Sequence, residues 1–242
     1  MPIIDLNADI GEGGVADSEL IAHATSVNIA CGGHAGSEVT MRMTIEAAKA
    51  AGVAIGAHPG YEDPDNFGRV GMDLSPAQLT NQIKRQIERF LGIHPELHHI
   101  KAHGSLYNQA NVDEAVAATL VDAIMELKPD TILYCPPGGE MAKFALSSGL
   151  RTCVEGFIDR TYMSCGNLTP RTAQNAIIED FREAAAQAVR ITMTQSLESI
   201  DGALIPMPAR TLCVHGDNPD APELLRYCRE LLNQAGVEIS SP

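Results

Sequence analysis

The sequence predicts an α/β fold, a closed or nearly closed (β/α) barrel of seven β-then-α units. The first sign is a regular alternation of short β-like apolar runs with amphipathic helical segments, which demands parallel strands joined by right-handed crossovers. The second is how the apolar runs end. Ile3-Ile4 leads into Asp5-Leu6-Asn7-Ala8-Asp9, Val27 into Asn28 and Cys31-Gly32-Gly33-His34, and Val53-Ala54-Ile55 into Ala57-His58-Pro59. Ile100 leads into Lys101-Ala102-His103-Gly104, and Leu212-Cys213-Val214 into His215-Gly216-Asp217. Parallel folds collect such strand ends on one rim, where sites form. An open doubly wound sheet is the rival, but no G-x-G-x-x-G opens a helix after the first strand; Gly11, Gly13 and Gly14 around Glu12 match it weakly.

In chain order, a strand over 3–6 precedes a helix over 17–24, and a strand over 26–30 precedes a helix over 38–51 starting near Ser37-Glu38. The third strand, 53–57, leads to the clearest helix, 76–91. Ser75 suits its N-cap and Pro76 its first position. Leu79, Ile83, Ile87, Phe90 and Leu91 form its core-facing stripe, and Gly92 is expected to close it as a left-handed C′ residue. A strand over 98–102 and a helix over 113–127 follow, then a strand over 131–135. Pro136-Pro137-Gly138-Gly139 is the most loop-like stretch, before a helix over 138–148. The sixth strand, 151–156, is paired with a helix over 174–196. The seventh, 210–215, is paired with a helix over 221–235, whose stripe is Leu224, Leu225, Cys228, Leu231 and Leu232 and whose terminator is Gly236.

A chain of 242 residues suits one barrel domain, 1–242, around a single large core. No apolar stretch approaches the ~18–20 residues of a membrane span, and no secretory signal opens the chain, so a cytoplasmic protein is expected. A formal charge of −14, from 17 Lys and Arg against 31 Asp and Glu, disfavours nucleic acid and anionic membranes. Small anionic substrates stay open, because a few local cations suffice to hold them. The six cysteines show no paired spacing, which points to buried thiols in a reducing compartment.

Alternation puts Asp5, Asn7 and Asp9 on one side of the first strand. Polar side chains inside an apolar strand must be satisfied, which favours site roles for Asp5 and Asn7. For Asp9 and Glu12 a site role and a strand end with a turn and helix cap are equally good readings. His34, His58, His103 and His215 occupy equivalent strand ends, and general acid–base work is their ordinary use. His34, His58 and His215 with Asp5 or Asp9 would also make an N/O site for a divalent metal, and spacing alone does not separate the two roles. His94, His98 and His99 are expected to pack or to face solvent. Lys101 in a strand interior suits a carboxylate or a polarised carbonyl. Asn28, Asp159, Arg160 and Asp217 complete the candidate substrate contacts, although for Arg160 a structural ion pair is nearly as good a reading. No Walker-type G-x-x-x-x-G-K-[ST] occurs, so any nucleotide is held without that loop or by a partner. A nucleophilic serine is disfavoured, since no G-x-S-x-G elbow is present.

These residues resemble the LamB/YcsF family. The matching stretches are Asp5 to Glu12, Asn28 to Gly36, Gly56 to Pro59, Asn66 to Arg69, Lys101 to Asn108, Asp159-Arg160 with Tyr162, Pro170-Arg171, and Val214 to Asp217. The resemblance implies a distorted seven-stranded (β/α) barrel, similar to the glycoside hydrolase/deacetylase barrel superfamily. It implies ATP-dependent opening of 5-oxo-L-proline to L-glutamate, with ATP and Mg2+ as cofactor and the B and C subunits of a 5-oxoprolinase as partners. It leaves homo-oligomers open. Proton transfers then fall to rim His and Asp residues, and Lys101 or Arg160 holds the substrate carboxylate. The chain departs from the family at Gly33 (usually Phe), Ser37 (Asp), Ala102 (Pro) and Ile158 (Ala). Gly33 and Ile158 are expected to alter pocket volume, and Ser37 to alter metal or anion affinity. Two alternatives stand beside this reading: a stand-alone metal-dependent deacetylase or amidohydrolase, and a non-catalytic metabolite-binding subunit.

Overall fold

The computed structural model describes every residue of the chain except Asp217 and Pro219. Its elements are β1 (Ile3–Ile10), α1 (Asp17–His23), β2 (Ser26–Ala30), α2 (Glu38–Ala51), β3 (Ala54–His58), α3 (Pro76–Leu91) and β4 (His99–Lys101). Then come α4 (Gly104–Val112), α5 (Glu114–Leu127), β5 (Ile132–Cys135), α6 (Glu140–Ser147) and β6 (Arg151–Phe157). The chain ends with α7 (Phe181–Thr194), β7 (Ser196–Glu198), β8 (Leu204–Pro206), β9 (Thr211–Val214), α8 (Ala221–Gln234) and β10 (Glu238–Ile239).

Strands run in the order β1-β2-β3-β4-β5-β6-β9, and β9 pairs back onto β1, closing a parallel barrel of seven strands. Closure is set by the registers Asp5↔Thr211 and Ala8↔Val214. The seven barrel strands fall where the apolar runs lie. Strand β10 adds itself outside the ring, pairing with Ile3 and Ile4. Among the described residues no helix is long and apolar enough to cross a membrane. Cys31, Cys135, Cys153, Cys213 and Cys228 are buried free thiols, while Cys165 is exposed.

Alternation along β1 sends Ile4, Leu6, Ala8 and Ile10 into the apolar core and Asp5, Asn7 and Asp9 into the barrel. The interior is therefore polar where barrels of this type usually stack Val, Ile and Leu. Three tiers of hydrogen bonds cross it. At the bottom, Asp5 accepts from Thr25, Ser26 and Thr211 (each 2.6 Å) and from Tyr134 (3.1 Å). In the middle, Asn7 donates to Glu155 (3.0 Å) and Thr211 (2.6 Å) and accepts from Asn28 (2.7 Å). At the top, Lys101 Nζ reaches Asp9 (2.9 Å), Cys213 Sγ (2.9 Å) and Glu155 (3.0 Å). Buried polar groups are tolerated only when paired in this way.

Several expectations change. Gly92 has φ −64° and is right-handed, so α3 does not end in a left-handed glycine; Gly236, at φ 75°, does play that part after α8. The Ser75 N-cap is present as a full capping box with Gln78. Helix α4 is not among the expected helices, the strand over 98–102 being followed there by a helix over 113–127. The helix expected over 174–196 begins only at Phe181, because 158–180 is a loop pinned by the bridges Arg160↔Ile177 and Tyr162↔Leu168. The β7–β8 hairpin after it is too short to show an apolar period.

Candidate functional site

The C-terminal rim opens into a cleft of about 570 Å³ whose walls include Asp9, His58, Lys101, His103, Arg160 and His215. Arg69 and Arg171 stand in the same walls. Beside Asp9 the loop after β1 turns inward, bringing Glu12 to the ends of β2, β3 and β4. Glu12 Oε1 lies 2.9 Å from His34 Nε2, 3.3 Å from His103 Nδ1 and 3.9 Å from His58 Nε2. His34 and His103 stack at 3.5 Å with their rings nearly parallel.

Two main-chain carbonyls set the tautomers. His58 Nδ1 donates to the Lys101 carbonyl (2.7 Å) and His103 Nε2 to the Phe67 carbonyl (2.9 Å). The nitrogens left over, His58 Nε2 and His103 Nδ1, face each other at 3.0 Å. A carbonyl only accepts, so both inward nitrogens carry lone pairs in the neutral rings. The arrangement requires a proton or a cation between them. Burial pushes His58 down, but the Asp9 carboxylate 3.5 Å away outweighs it and raises the ring above its ordinary value. Burial, then His34 and His58, hold His103 well below its ordinary value. Of the two rings, His58 is the one that takes a proton more readily. One potential ligand atom from each of Glu12, His34, His58 and His103 lies within 4.8 Å of all the others. The outer nitrogens of His58 and His103 are anchored as those of metal-binding histidines usually are, His34 Nδ1 has no partner, and the donor set fits a divalent ion of the zinc type.

A second pair lies across the cleft. His215 Nδ1 meets both oxygens of Asp159 at 3.0 Å, leaving Nε2 for the cleft. Burial alone would raise Asp159, but the adjoining His215 outweighs it and holds the carboxyl below its ordinary range. Phe157 stacks on the His215 ring at 4.9 Å and limits its rotation. An acid-oriented imidazole of this kind has the geometry to take a proton as a general base.

The structure redistributes the predicted residues. His58, Lys101, His103, Arg160 and His215 reach the cleft. Asp5, expected to be catalytic, lies at the barrel bottom with both oxygens occupied, and burial raises its carboxyl above the ordinary value. Asn7 is equally enclosed. Asn28, expected to bind substrate, gives its amide to Asn7 and Asp9 and takes His99 on its carbonyl (2.7 Å), away from the cleft walls. Asp159 pairs with His215 and does not itself line the cleft. Arg160 lines it while donating to the carbonyls of Thr169 (2.6 Å) and Ala176 (3.1 Å). For the metal set, His34 and His58 stand together, but His103 and Glu12 occupy the places expected of His215 and Asp9, because His215 turns to Asp159 and Asp9 to Lys101. Asp217 lies outside the described residues. His99, expected to pack or to face solvent, stacks on Tyr134 at 4.0 Å inside the barrel.

Sequence reasoning left Glu155, Tyr107, Arg69 and Arg171 out of the site. A charged residue within Arg151-Thr-Cys-Val-Glu-Gly-Phe157 was the available signal for Glu155. Neither Gly33 nor Ile158 lines the cleft. Gln86 fills the space beside Gly33 and clamps Gly60, accepting from its N–H (3.0 Å) and donating to its carbonyl (2.7 Å). Ile158 is packed in the core. Ser37 caps α2 through a capping box with Thr40.

A closed parallel barrel with a histidine-rich, cation-walled rim is the layout of a (β/α)-barrel enzyme. The chain belongs to the LamB/YcsF family, whose profile matches residues 4–242. It is 43% identical over 247 residues to the 5-oxoprolinase A subunit of Heliobacterium modesticaldum, covering 98% of this chain and 97% of that one. It is 42% identical over 245 residues to a 5-oxoprolinase A subunit of Thermus thermophilus, covering 98% of both. The crystal structure of a lactam utilization protein from Thermus thermophilus superposes with a TM-score of 0.91 at 39% identity, over 99% of both chains. The T48 deacetylase, at 10% identity and a TM-score of 0.51 over 98% of this chain and 87% of that one, shares the fold alone.

Proposed function

We propose that this chain is the A subunit of a 5-oxoprolinase and opens the ring amide of 5-oxo-L-proline to L-glutamate, with ATP as the driving force and B and C subunits as partners. The observation that carries the reading is the Asp159–His215 pair facing an arginine-walled cleft. The names of full-length relatives at about this chain's own length support the substrate.

Opening an unstrained lactam is thermodynamically poor, which is the reason for coupling it to ATP. The lactam oxygen takes the γ-phosphoryl group and ADP leaves. Water then adds to the activated carbon while His215 Nε2 takes its proton. Collapse breaks the C–N bond, the ring nitrogen gains a proton, and a γ-glutamyl phosphate remains. A second water releases phosphate and glutamate. Asp159 holds the imidazole in the productive tautomer, and Arg160 with Arg171 supplies positive charge for the α-carboxylate. Glu12, His34, His58 and His103 would hold a divalent ion, which when bound supplies Lewis-acid polarisation of a carbonyl.

The test is glutamate formation from 5-oxo-L-proline and ATP, with and without the B and C subunits. Glutamate is expected only in the complete mixture, and His215→Ala is expected to abolish it. No glutamate in the complete mixture overturns the reading. The histidine cluster favours one second reading, a stand-alone metal-dependent amidohydrolase. Chelator-sensitive turnover of a small amide without ATP would select it.

A further inference from the structure

Four buried side-chain polar atoms among the described residues lack any hydrogen-bond partner, and three of them belong to residues around one small chamber: Glu155 Oε2, Tyr107 Oη and Asn111 Oδ1. The chamber holds about 110 Å³ and shares Tyr107, Asn108, Phe157 and Leu168 with the wall of the main cleft. Asn111 Oδ1 is pressed against Gly139, so closely that a Cβ there would overlap it, and it is set aside. Glu155 and Tyr107 remain. Both residues are buried, at 1% and 3% exposure, so their unmet hydrogen-bonding capacity is costly unless something fills the space.

The chemistry of the chamber is one-sided. Glu155 Oε1 is committed to Lys101 Nζ and Asn7 Nδ2, each at 3.0 Å, which fixes the carboxylate and leaves Oε2 as a pure acceptor. The Tyr107 phenol stands near Glu155 without completing a hydrogen bond. Phe157 and Leu168 supply apolar walls. Such a chamber repels a carboxylate or phosphate and accepts an N–H or an ammonium. At roughly 30 Å³ per water it is room for the edge of a five-membered ring or about three to four waters.

We propose that this chamber is the subsite for the ring nitrogen of the lactam, taking its N–H in the substrate and the ammonium group in the product. The proposal rests on the reading given under Proposed function and names a specificity device within it. Ring nitrogen and carboxylate share one carbon, so a nitrogen placed toward Glu155 leaves the carboxylate in the main cleft, where Arg160 and Arg171 line the wall. Lactams with a free N–H are then distinguished from rings of the same shape without one. A site built to pair a donor rejects the analogue lacking it, because its own buried groups are stranded.

The test compares binding of 5-oxo-L-proline with that of its lactone counterpart, in which oxygen replaces the ring N–H, to the purified full chain by titration NMR. Wild type is expected to bind the lactam at least about tenfold more tightly. Tyr107→Phe, which removes one hydroxyl, is expected to shrink that ratio to within about threefold, chiefly by weakening the lactam. Glu155→Gln is expected to do the same, with thermal unfolding run alongside because Lys101 loses a partner. Equal binding of the two rings by wild type, or a ratio unmoved in both folded variants, overturns the subsite while leaving the proposed activity standing. Binding of neither ring removes both.

Discussion

His103 Nδ1 and His58 Nε2 stand 3.0 Å apart, and the far nitrogen of each ring donates to a main-chain carbonyl. Neither ring can rotate to relieve the meeting of two lone pairs without breaking its bond to that carbonyl. Glu12 and His34 complete the group. The purified chain is therefore expected to bind one Zn2+ or Mn2+ ion, and His103→Ala to weaken that binding by about a hundredfold. Because the ion competes with protons for the histidine nitrogens, calorimetry in buffers of different ionisation enthalpy should show proton release, with affinity falling as pH falls. Absence of any metal-dependent heat would leave a shared proton as the sole occupant.

The Asp159–His215 pair gives a separate expectation. Asp159→Asn keeps the shape but removes the group that selects the His215 tautomer, and turnover by the reconstituted complex should fall at least about a hundredfold with KM little changed. Asp159 titrates below its ordinary value, so its stabilising contribution is complete above the unfolded value of about 3.9 and is lost as pH falls through the folded one. Urea unfolding between pH 3 and 7 should show the difference between wild type and Asp159→Asn vanish only at the acid end.

The barrel was legible in the sequence because its signals are local. Each strand is an apolar run, and each rim residue follows one directly, so His58, Lys101, His103 and His215 could be located without a structure. Which rim residues meet was not legible. That depends on register and on side-chain direction across the barrel, and nothing local says that His215 turns to Asp159 while His103 turns to His58. Depth was hidden for the same reason. Asp5, Asn7 and Asp9 alternate identically along β1, yet only Asp9 reaches the cleft. Helix α4 and the 158–180 loop escaped because their residues serve the site and the neighbouring strands more than their own periodicity.

Gly33 and Gln86 form a compensating pair. A Cβ at position 33 would overlap Gln86 Oε1, and Gln86 is held on both sides of Gly60. Gly33→Ala should therefore destabilise the chain by about 1–3 kcal/mol, as overpacking does. Adding Gln86→Ala should recover part of that loss, giving a coupling of about 0.5–3 kcal/mol in a double-mutant cycle read by urea unfolding. Strict additivity would show that the Gln86 side chain swings aside freely.

Lys101 links the polar interior to the site. Its ammonium is the shared partner of Asp9 and Glu155, at 2.9 and 3.0 Å, and all three are buried. Burial alone would lower Lys101 and raise Asp9, but their mutual attraction outweighs it, holding Lys101 well above and Asp9 well below their ordinary values. The Lys101 contribution is present below the unfolded lysine value of about 10.4 and is lost as pH rises through the folded one. The Asp9 contribution is present above about 3.9 and is lost as pH falls through its folded value. Between those limits the pair should contribute a constant stability. Lys101→Met leaves two carboxylates buried without their cation and should cost about 3–5 kcal/mol at pH 7. Pairing it with Glu155→Gln, which removes one of the stranded charges, should return part of that loss. Urea unfolding of the single and double variants decides the matter, and a Lys101→Met loss below about 0.5 kcal/mol, the range of an ordinary surface change, would mean that the interior charges are solvated and not paired.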